Sequence, residues 1–207
     1  MQEIDFLFAI AVLIMSVVIH EVSHGYTANL LGDPTAKYAG RLTLNPLKHL
    51  DPMGSVLVPL LLKLFGSPVI FGWAKPVPYN PYNLKNQKWG PGLVAVAGPL
   101  SNFLIAAVFG FIIRFSPALN FLPFSFFEIA SLIVLINLVL GIFNLVPIPP
   151  LDGSKVLFAF LPYRWHNIEL FLERYGIFLL LIFIFFFLQS LLPFVAILFK
   201  LITGINF

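Results

Sequence analysis

The chain has 207 residues and a mean hydropathy of +0.96; 59% of its residues are hydrophobic and only 10% are charged. A soluble domain carries about 25% charged residues, so this chain cannot clothe an ordinary globular surface, and its long uncharged runs are expected to face lipid. It has no Cys, which excludes disulfides and thiolate metal ligands, and its net charge of +3 is scattered between apolar segments without a stripe that would bind nucleic acid.

The N-terminus, Met1-Gln2-Glu3-Ile4-Asp5, is acidic and lacks the basic region of a cleaved signal peptide. Four segments are long enough to cross a bilayer, which takes about 20 apolar residues. The first, residues 4–31, carries His20, Glu21 and His24 and stops at Gly32-Asp33-Pro34. Residues 40–46, Gly-Arg-Leu-Thr-Leu-Asn-Pro, alternate weakly and predict a short strand. The apolar stretch 53–73 is split by Lys63 and interrupted by Pro59, Gly66 and Pro68. It either crosses or dips in and returns. Residues 76–83 repeat Pro and predict an extended or turning segment at the interface. The second and third crossing segments are 93–113 and 129–151, the latter ending in Val146-Pro147-Ile148-Pro149-Pro150-Leu151; a short helix follows at 153–161 and the fourth segment spans 175–199.

Loop charges orient these segments. Lys37, Arg41 and Lys48, then Lys75, Lys85 and Lys88, then Lys155, Arg164 and Arg174 place all three loops on the cytoplasmic side of the cell membrane. The first two can share a side only if 53–73 enters and leaves on that side, so a re-entrant segment is favoured. The expected fold is an all-α polytopic membrane protein. It has about four transmembrane helices, a re-entrant segment and a short β element, in one integral membrane domain over 1–207. Its core is 6–160 and an anchor helix lies at about 175–199.

His20 and His24 are four apart, so on a helix both imidazoles share a face and can reach one ion, while Glu21 is placed to touch a water beside it. Two imidazoles and a carboxylate in hydrocarbon cost several kcal/mol without a partner or a function. A helix end at the interface would also let them reach water, but His20 lies about three turns inside the helix stop. A catalytic zinc keeps three protein ligands and one open position. Asp152 is the candidate third ligand: it closes a run with three prolines, Pro147, Pro149 and Pro150, that forbid continuous helix. Broken helices of this kind build polar sites inside membranes. The alternative is that Asp152 caps the helix 153–161, and both roles are compatible. The third segment returns to the side on which the first ends, so the re-entrant reading and convergence of Asp152 with the histidines support each other.

His20-Glu-Val-Ser-His24, Ala97-Gly98-Pro99-Leu100-Ser101-Asn102 and Asn144-Leu-Val-Pro-Ile-Pro-Pro-Leu-Asp152-Gly153 together resemble the site-2 protease family of intramembrane zinc metallopeptidases. Asn45-Pro46-Leu47-Lys48-His49 and Phe71-Gly72-Trp73-Ala74-Lys75-Pro76-Val77-Pro78 resemble its compact prokaryotic branch, without PDZ or CBS domains. The resemblance covers about residues 6–160. It implies one zinc ion per chain held by His20, His24 and Asp152, Glu21 as catalytic base, and Asn102 at substrate or oxyanion. It also implies a transmembrane protein as substrate.

Among the remaining polar residues, Asn102 and Asn144 are candidates to donate to a substrate carbonyl or oxyanion, with interhelical hydrogen bonding as the bland role of both and the favoured one for Asn137. His49 and His166 read as interfacial side chains, Lys75 beside Trp73 as a membrane-interface anchor, and Gly98-Pro99 as a point of close packing or a kink. The expected activity is zinc-dependent endoproteolysis in or near transmembrane segments, with Glu21 moving the proton. The rival is a zinc-binding or zinc-transporting membrane protein that does not hydrolyse. It would use the same ligands, need not keep Glu21, and would need polar residues leading out on both sides.

Overall fold

The apolar run at the N-terminal end folds as a single helix, α1 (Glu3–Leu30). No proline interrupts it, and Gly32, at φ 111°, supplies the left-handed turn that ends it. The structure, a computed structural model, describes residues 3–65, 74–115 and 123–205. After α1 come α2 (Thr35–Tyr38), α3 (Val58–Leu64), α4 (Gly90–Phe115), α5 (Phe124–Asn144), α6 (Asp152–Phe160), α7 (His166–Phe187) and α8 (Leu192–Thr203).

Among the described residues, four stretches are long and apolar enough to cross a membrane: Leu7–Leu30, Gly90–Phe115, Ser125–Asn144 and Tyr163–Thr203. With the apolar exterior they present, the chain is a multi-pass membrane protein. Leu13, Leu100, Leu104, Phe111, Phe178 and Phe185 all point outward, a surface that only lipid satisfies. α4 lies at the centre, against α1, α5, α6 and α8. Ala106 and Ile113 of α4, Ala130, Val134 and Leu138 of α5, and Val195 and Phe199 of α8 form the main apolar core. A second cluster, Val146, Leu151 and Leu180, packs α7 onto the loop after α5.

That loop is where the prolines act. α5 ends at Asn144, and residues 145–151 run as tight turns with a cis Pro149–Pro150 peptide before α6 begins at Asp152. Gly153 makes the closure possible: a Cβ there would sit 2.2 Å from the Leu145 carbonyl oxygen and 2.5 Å from that of Val146. The chain therefore folds back on the end of α5 and carries Asp152 with it.

The loops at this end are knitted together. Asp33 accepts hydrogen bonds from the Asn80 N–H (2.6 Å), the Asn83 amide (2.9 Å) and Thr35. The buried Arg41 guanidinium donates to the carbonyls of Lys75 (2.7 Å) and Pro76 (3.3 Å). Lys85 N–H donates to Leu31 O, and Lys75 N–H to His49 O, both at 2.9 Å. The Lys155 ammonium lies over the Tyr79 ring.

Two expectations are corrected. The strand at 40–46 does not form, and no strand occurs among the described residues. The segment it lies beside contains Pro76 and Pro78, which have no N–H to offer a ladder. Side chains hold 40–49 instead: the buried His49 donates through Nε2 to Thr43 O (2.8 Å), so it is an internal staple and not an interfacial residue. The fourth segment begins earlier than expected and is broken. A 3₁₀ turn over Leu188–Leu191 separates α7 from α8, with Ser190 Oγ turned back onto Phe187 O and Pro193 in the first turn of α8, where its missing N–H costs nothing.

Of the ambiguous stretch 53–73, the described part is a π-helical turn, Pro52–Leu57, followed by α3. Residues 66–73, including Trp73, lie outside the described residues.

Candidate metal centre

One helical turn separates His20 from His24 on α1, and both rings face α4, edge to face with centroids 4.7 Å apart. Asp152 reaches them from the start of α6. Its Oδ2 lies 3.0 Å from His20 Nε2 and 3.2 Å from His24 Nε2. The ligand atoms of the three residues all fall within 4.8 Å of one another. The sequence placed these side chains 132 positions apart; the turn at 145–153 brings them together. Asp152 makes no capping hydrogen bond to α6, whose N-cap is Leu151. Its carboxylate is turned to the histidines instead.

The donor set fits a cation. His24 Nδ1 donates to the Val94 carbonyl oxygen at 2.7 Å, a partner that can only accept. That fixes the tautomer and leaves Nε2 with a lone pair. His20 Nδ1 donates to Asn102 Oδ1 at 2.6 Å, with the same consequence for its Nε2. With both rings neutral, two imidazole lone pairs and a carboxylate oxygen thus converge with no proton between them. Such an arrangement is repulsive until a positive charge sits between the groups, and two His with one carboxylate is a donor set that suits zinc. α4 forms the floor. A Cβ on Gly98 would lie 2.5 Å from His24 Nε2 and 2.6 Å from His20 Nε2, so only glycine leaves room for the rings.

Glu21, half-buried and next to His20, is not among the three converging groups. Its Oε2 accepts the Val77 N–H at 2.8 Å. Val77 sits between Pro76 and Pro78, so it is the single residue of the three that can donate. Its side chain packs on α1 at Gly25, where an added Cβ would meet Val77 Cγ1 at 2.9 Å and Leu42 Cδ2 at 2.6 Å. The segment 74–78 therefore lies along α1 beside the site.

Asn102 has different neighbours from those expected of a substrate or oxyanion donor. Its Oδ1 holds His20, its Nδ2 donates to Asn137 Oδ1 at 2.9 Å and to Ser16 O at 3.4 Å, and the residue is completely buried. Asn144 turns its amide back to Leu140 O (3.0 Å), and no hydrogen bond joins it to His20, His24 or Asp152 among the described residues. His166 pairs with Glu169 on the exposed start of α7, and His49 lies outside the cluster. Sequence reading passed over Ser16 and the Val94 carbonyl. Ser16 was visible as a small polar residue one turn before His20 on the same helix face; Val94 contributes only backbone, which no residue type announces.

Comparison with known proteins points to zinc metalloproteases. The model of Peptidase family M50 matches residues 120–187, which include Asp152 but not the His20–His24 turn. YwhC of Bacillus subtilis, named as a candidate zinc metalloprotease, is 38% identical over 160 residues, covering 75% of this chain and 69% of its own. Rip2 of Mycolicibacterium smegmatis, named likewise, is 32% identical over 161 residues, and the chain spans 56% of its length. The zinc metalloprotease MJ0392 of Methanocaldococcus jannaschii is 26% identical over 153 residues, 34% of its length. No solved structure matches the chain significantly. The extent of the match to YwhC, with the family model lying across the Asp152 turn, establishes that the chain belongs to peptidase family M50, the site-2 protease family of zinc metalloproteases.

Proposed function

We propose that His20, His24 and Asp152 hold the zinc ion of this intramembrane metalloprotease and that Glu21 is its general base. The observation that carries the reading is the convergence of three metal-ligand atoms within 4.8 Å, with an adjacent carboxylate that is not one of them. Zinc bound there would acidify a water and polarise the scissile carbonyl. Glu21 takes a proton from the attacking water and returns it to the leaving amine nitrogen. Val77 engages only Oε2 of Glu21, so the backbone aims the carboxylate while Oε1 makes no hydrogen bond among the described residues. Asn144 keeps one amide hydrogen beyond its bond to Leu140 O and is the candidate donor to the substrate carbonyl.

The substrate is a membrane protein, cleaved in or near a transmembrane segment that must unwind locally, because a helix ties up its carbonyls in i to i−4 bonds. All 207 residues form one domain in the cell membrane, and the site opens towards the cytoplasm. Support for the sidedness comes from the basic loops, which meet at one end of the bundle through Asp33, Arg41, Lys75 and Lys155. Support for re-entry of 53–73 comes from the hydrogen bond between Lys75 N–H and His49 O: the two ends of the insert touch.

Glu21→Gln in the purified protein tests the reading. The expected result is a full zinc complement with cleavage of a reconstituted transmembrane substrate reduced by at least about a hundredfold, the lower end of what a general base supplies. Undiminished cleavage overturns it. Zinc flux across proteoliposomes without any proteolysis would support the transporter instead.

A further inference from the structure

The histidine face of α1 continues inward as a set of buried polar groups that the hydrolysis itself does not use. Ser16 lies one turn before His20, and Asn102 on α4 and Asn137 on α5 complete the set. Asn102 and Asn137 are completely buried and Ser16 nearly so. Two amides and a hydroxyl in the apolar centre of a helix bundle are costly unless they are satisfied, and here every amide proton of Asn102 and Asn137 has an acceptor.

The order of the bonds determines which way each group faces. Asn137 Nδ2 donates to Ile133 O at 2.9 Å, and a backbone carbonyl can only accept. The same amino group donates to Ser16 Oγ at 2.9 Å. Asn137 must therefore present its Oδ1 on the other side, where it accepts from Asn102 Nδ2 at 2.9 Å. The amino group of Asn102 is thereby committed to Asn137 and to Ser16 O, and its Oδ1 must face His20 Nδ1, at 2.6 Å. His20 Nδ1 must then carry the proton, leaving Nε2 free towards Asp152.

We propose that Asn137 and Ser16 are positioning residues of the metal centre: anchored on the Ile133 carbonyl, they fix the orientation of the Asn102 amide, and through it the tautomer and ring orientation of His20. The proposal rests on His20 being a metal ligand. His24 needs no such relay, since a backbone carbonyl orients it directly. Without Asn137 the Asn102 amide can turn over and offer its amino group to His20. His20 then places its proton on Nε2, where it blocks the lone pair a metal requires.

The test measures zinc dissociation constants by competition with a chromophoric chelator, on full-length protein in detergent or bilayer discs, with cobalt absorption spectra as a second readout. His20→Ala is run alongside. If it leaves zinc affinity unchanged, the reading of His20 as a ligand fails, whatever the other variants do. If it abolishes tight binding, that reading stands and the relay is tested separately. Asn137→Leu is expected to weaken zinc 10- to 100-fold, the range seen when a ligand loses its orienting partner, and Ser16→Ala by a few fold, since Ile133 O still anchors Asn137. The double variant Asn137→Leu/Asn102→Asp is expected to recover most of the loss, because an aspartate presents an acceptor to His20 in either orientation. Asn137→Leu within threefold of the parent overturns the proposal. So does a loss that Asn102→Asp fails to rescue, which would make Asn137 a packing residue only. If Asn137→Leu is not recovered folded, Asn137→Ser, too short to bridge both partners, carries the same expectations.

Discussion

Gly98 has no side chain, and that gives the two imidazoles their room: with a floor of bare backbone, α4 approaches α1 close enough for Val94 O to accept the hydrogen bond from His24 Nδ1. Asp33 shows the opposite economy, a charge buried at the end of α1 and used as a tie. Burial opposes its ionisation, but the hydrogen bonds from Thr35, Asn83 and Asn80 outweigh it and hold the carboxyl below the usual carboxylate range. A lowered folded-state pKa means stability that is fully present above the unfolded value of about 3.9 and lost as pH falls through the folded value. Asp33→Asn is expected to cost about 1–3 kcal/mol at neutral pH, since buried donors lose a charged acceptor. Thermal unfolding across pH reads this directly: the gap between parent and variant should hold from neutral pH down to about 4 and narrow below it. A gap unchanged at the lowest pH would show that the charge of Asp33 is not what ties the loops. At this scale the candidate site was most legible where its residues are local in the chain. His20, Glu21 and His24 share one helical turn, and their spacing is their geometry. Ser16, Gly98 and the Val77 N–H act only once other segments arrive against them.

Helix boundaries followed from proline and glycine wherever those residues act within their own element. Gly32 stops α1 and the prolines end α5. The strand expected at 40–46 failed because alternation describes one segment, whereas a ladder needs a partner with free N–H groups, and the neighbouring segment has Pro76 and Pro78. The last apolar segment was read as one helix because hydropathy does not register a turn made by Ser190 and Pro193. Its two halves are docked on different parts of the molecule. α7 meets the loop that carries Asp152, with Gly176 against Pro149, while α8 meets the C-terminal part of α4, with Gly110 against Ile202 and Arg114 donating to Leu201 O. Two substitutions separate these roles. A Cβ at Gly110 would fall 2.2 Å from Ile202 Cγ2, so Gly110→Ala should lower Tm, by overpacking worth about 1–3 kcal/mol, with zinc content unchanged. A Cβ at Gly176 would fall 2.5 Å from Pro149 O, so Gly176→Ala should shift the loop and weaken zinc by about tenfold. Metal titration and calorimetry on the two proteins distinguish them; equal zinc affinity in both would uncouple α7 from the metal loop.

For the whole molecule, the absence of cysteine is a practical gift. Single cysteines at Lys37, Lys85 and Arg164, all exposed, can be labelled by a membrane-impermeant maleimide in vesicles of known orientation. All three should react from the cytoplasmic side. Lys37 and Lys85 reacting from opposite sides would sink the re-entrant reading of 53–73. The membrane class and the four candidate crossings were legible in the sequence, because the length of an apolar run is set by the bilayer and not by tertiary contacts. What composition could not supply was how the last run fits that bilayer. Tyr163–Thr203 is 41 residues, and only 6% of its most apolar window is buried. As one straight helix it would rise about 60 Å, roughly twice the hydrocarbon thickness. The break at Leu188–Leu191 divides that length between α7 and α8, and an element longer than the bilayer is wide accommodates it by tilt or bend. Because α7 packs on the loop that carries Asp152, a thicker or thinner bilayer is expected to be felt at the proposed metal site, through a lever whose fulcrum is the Gln189-Ser190 turn.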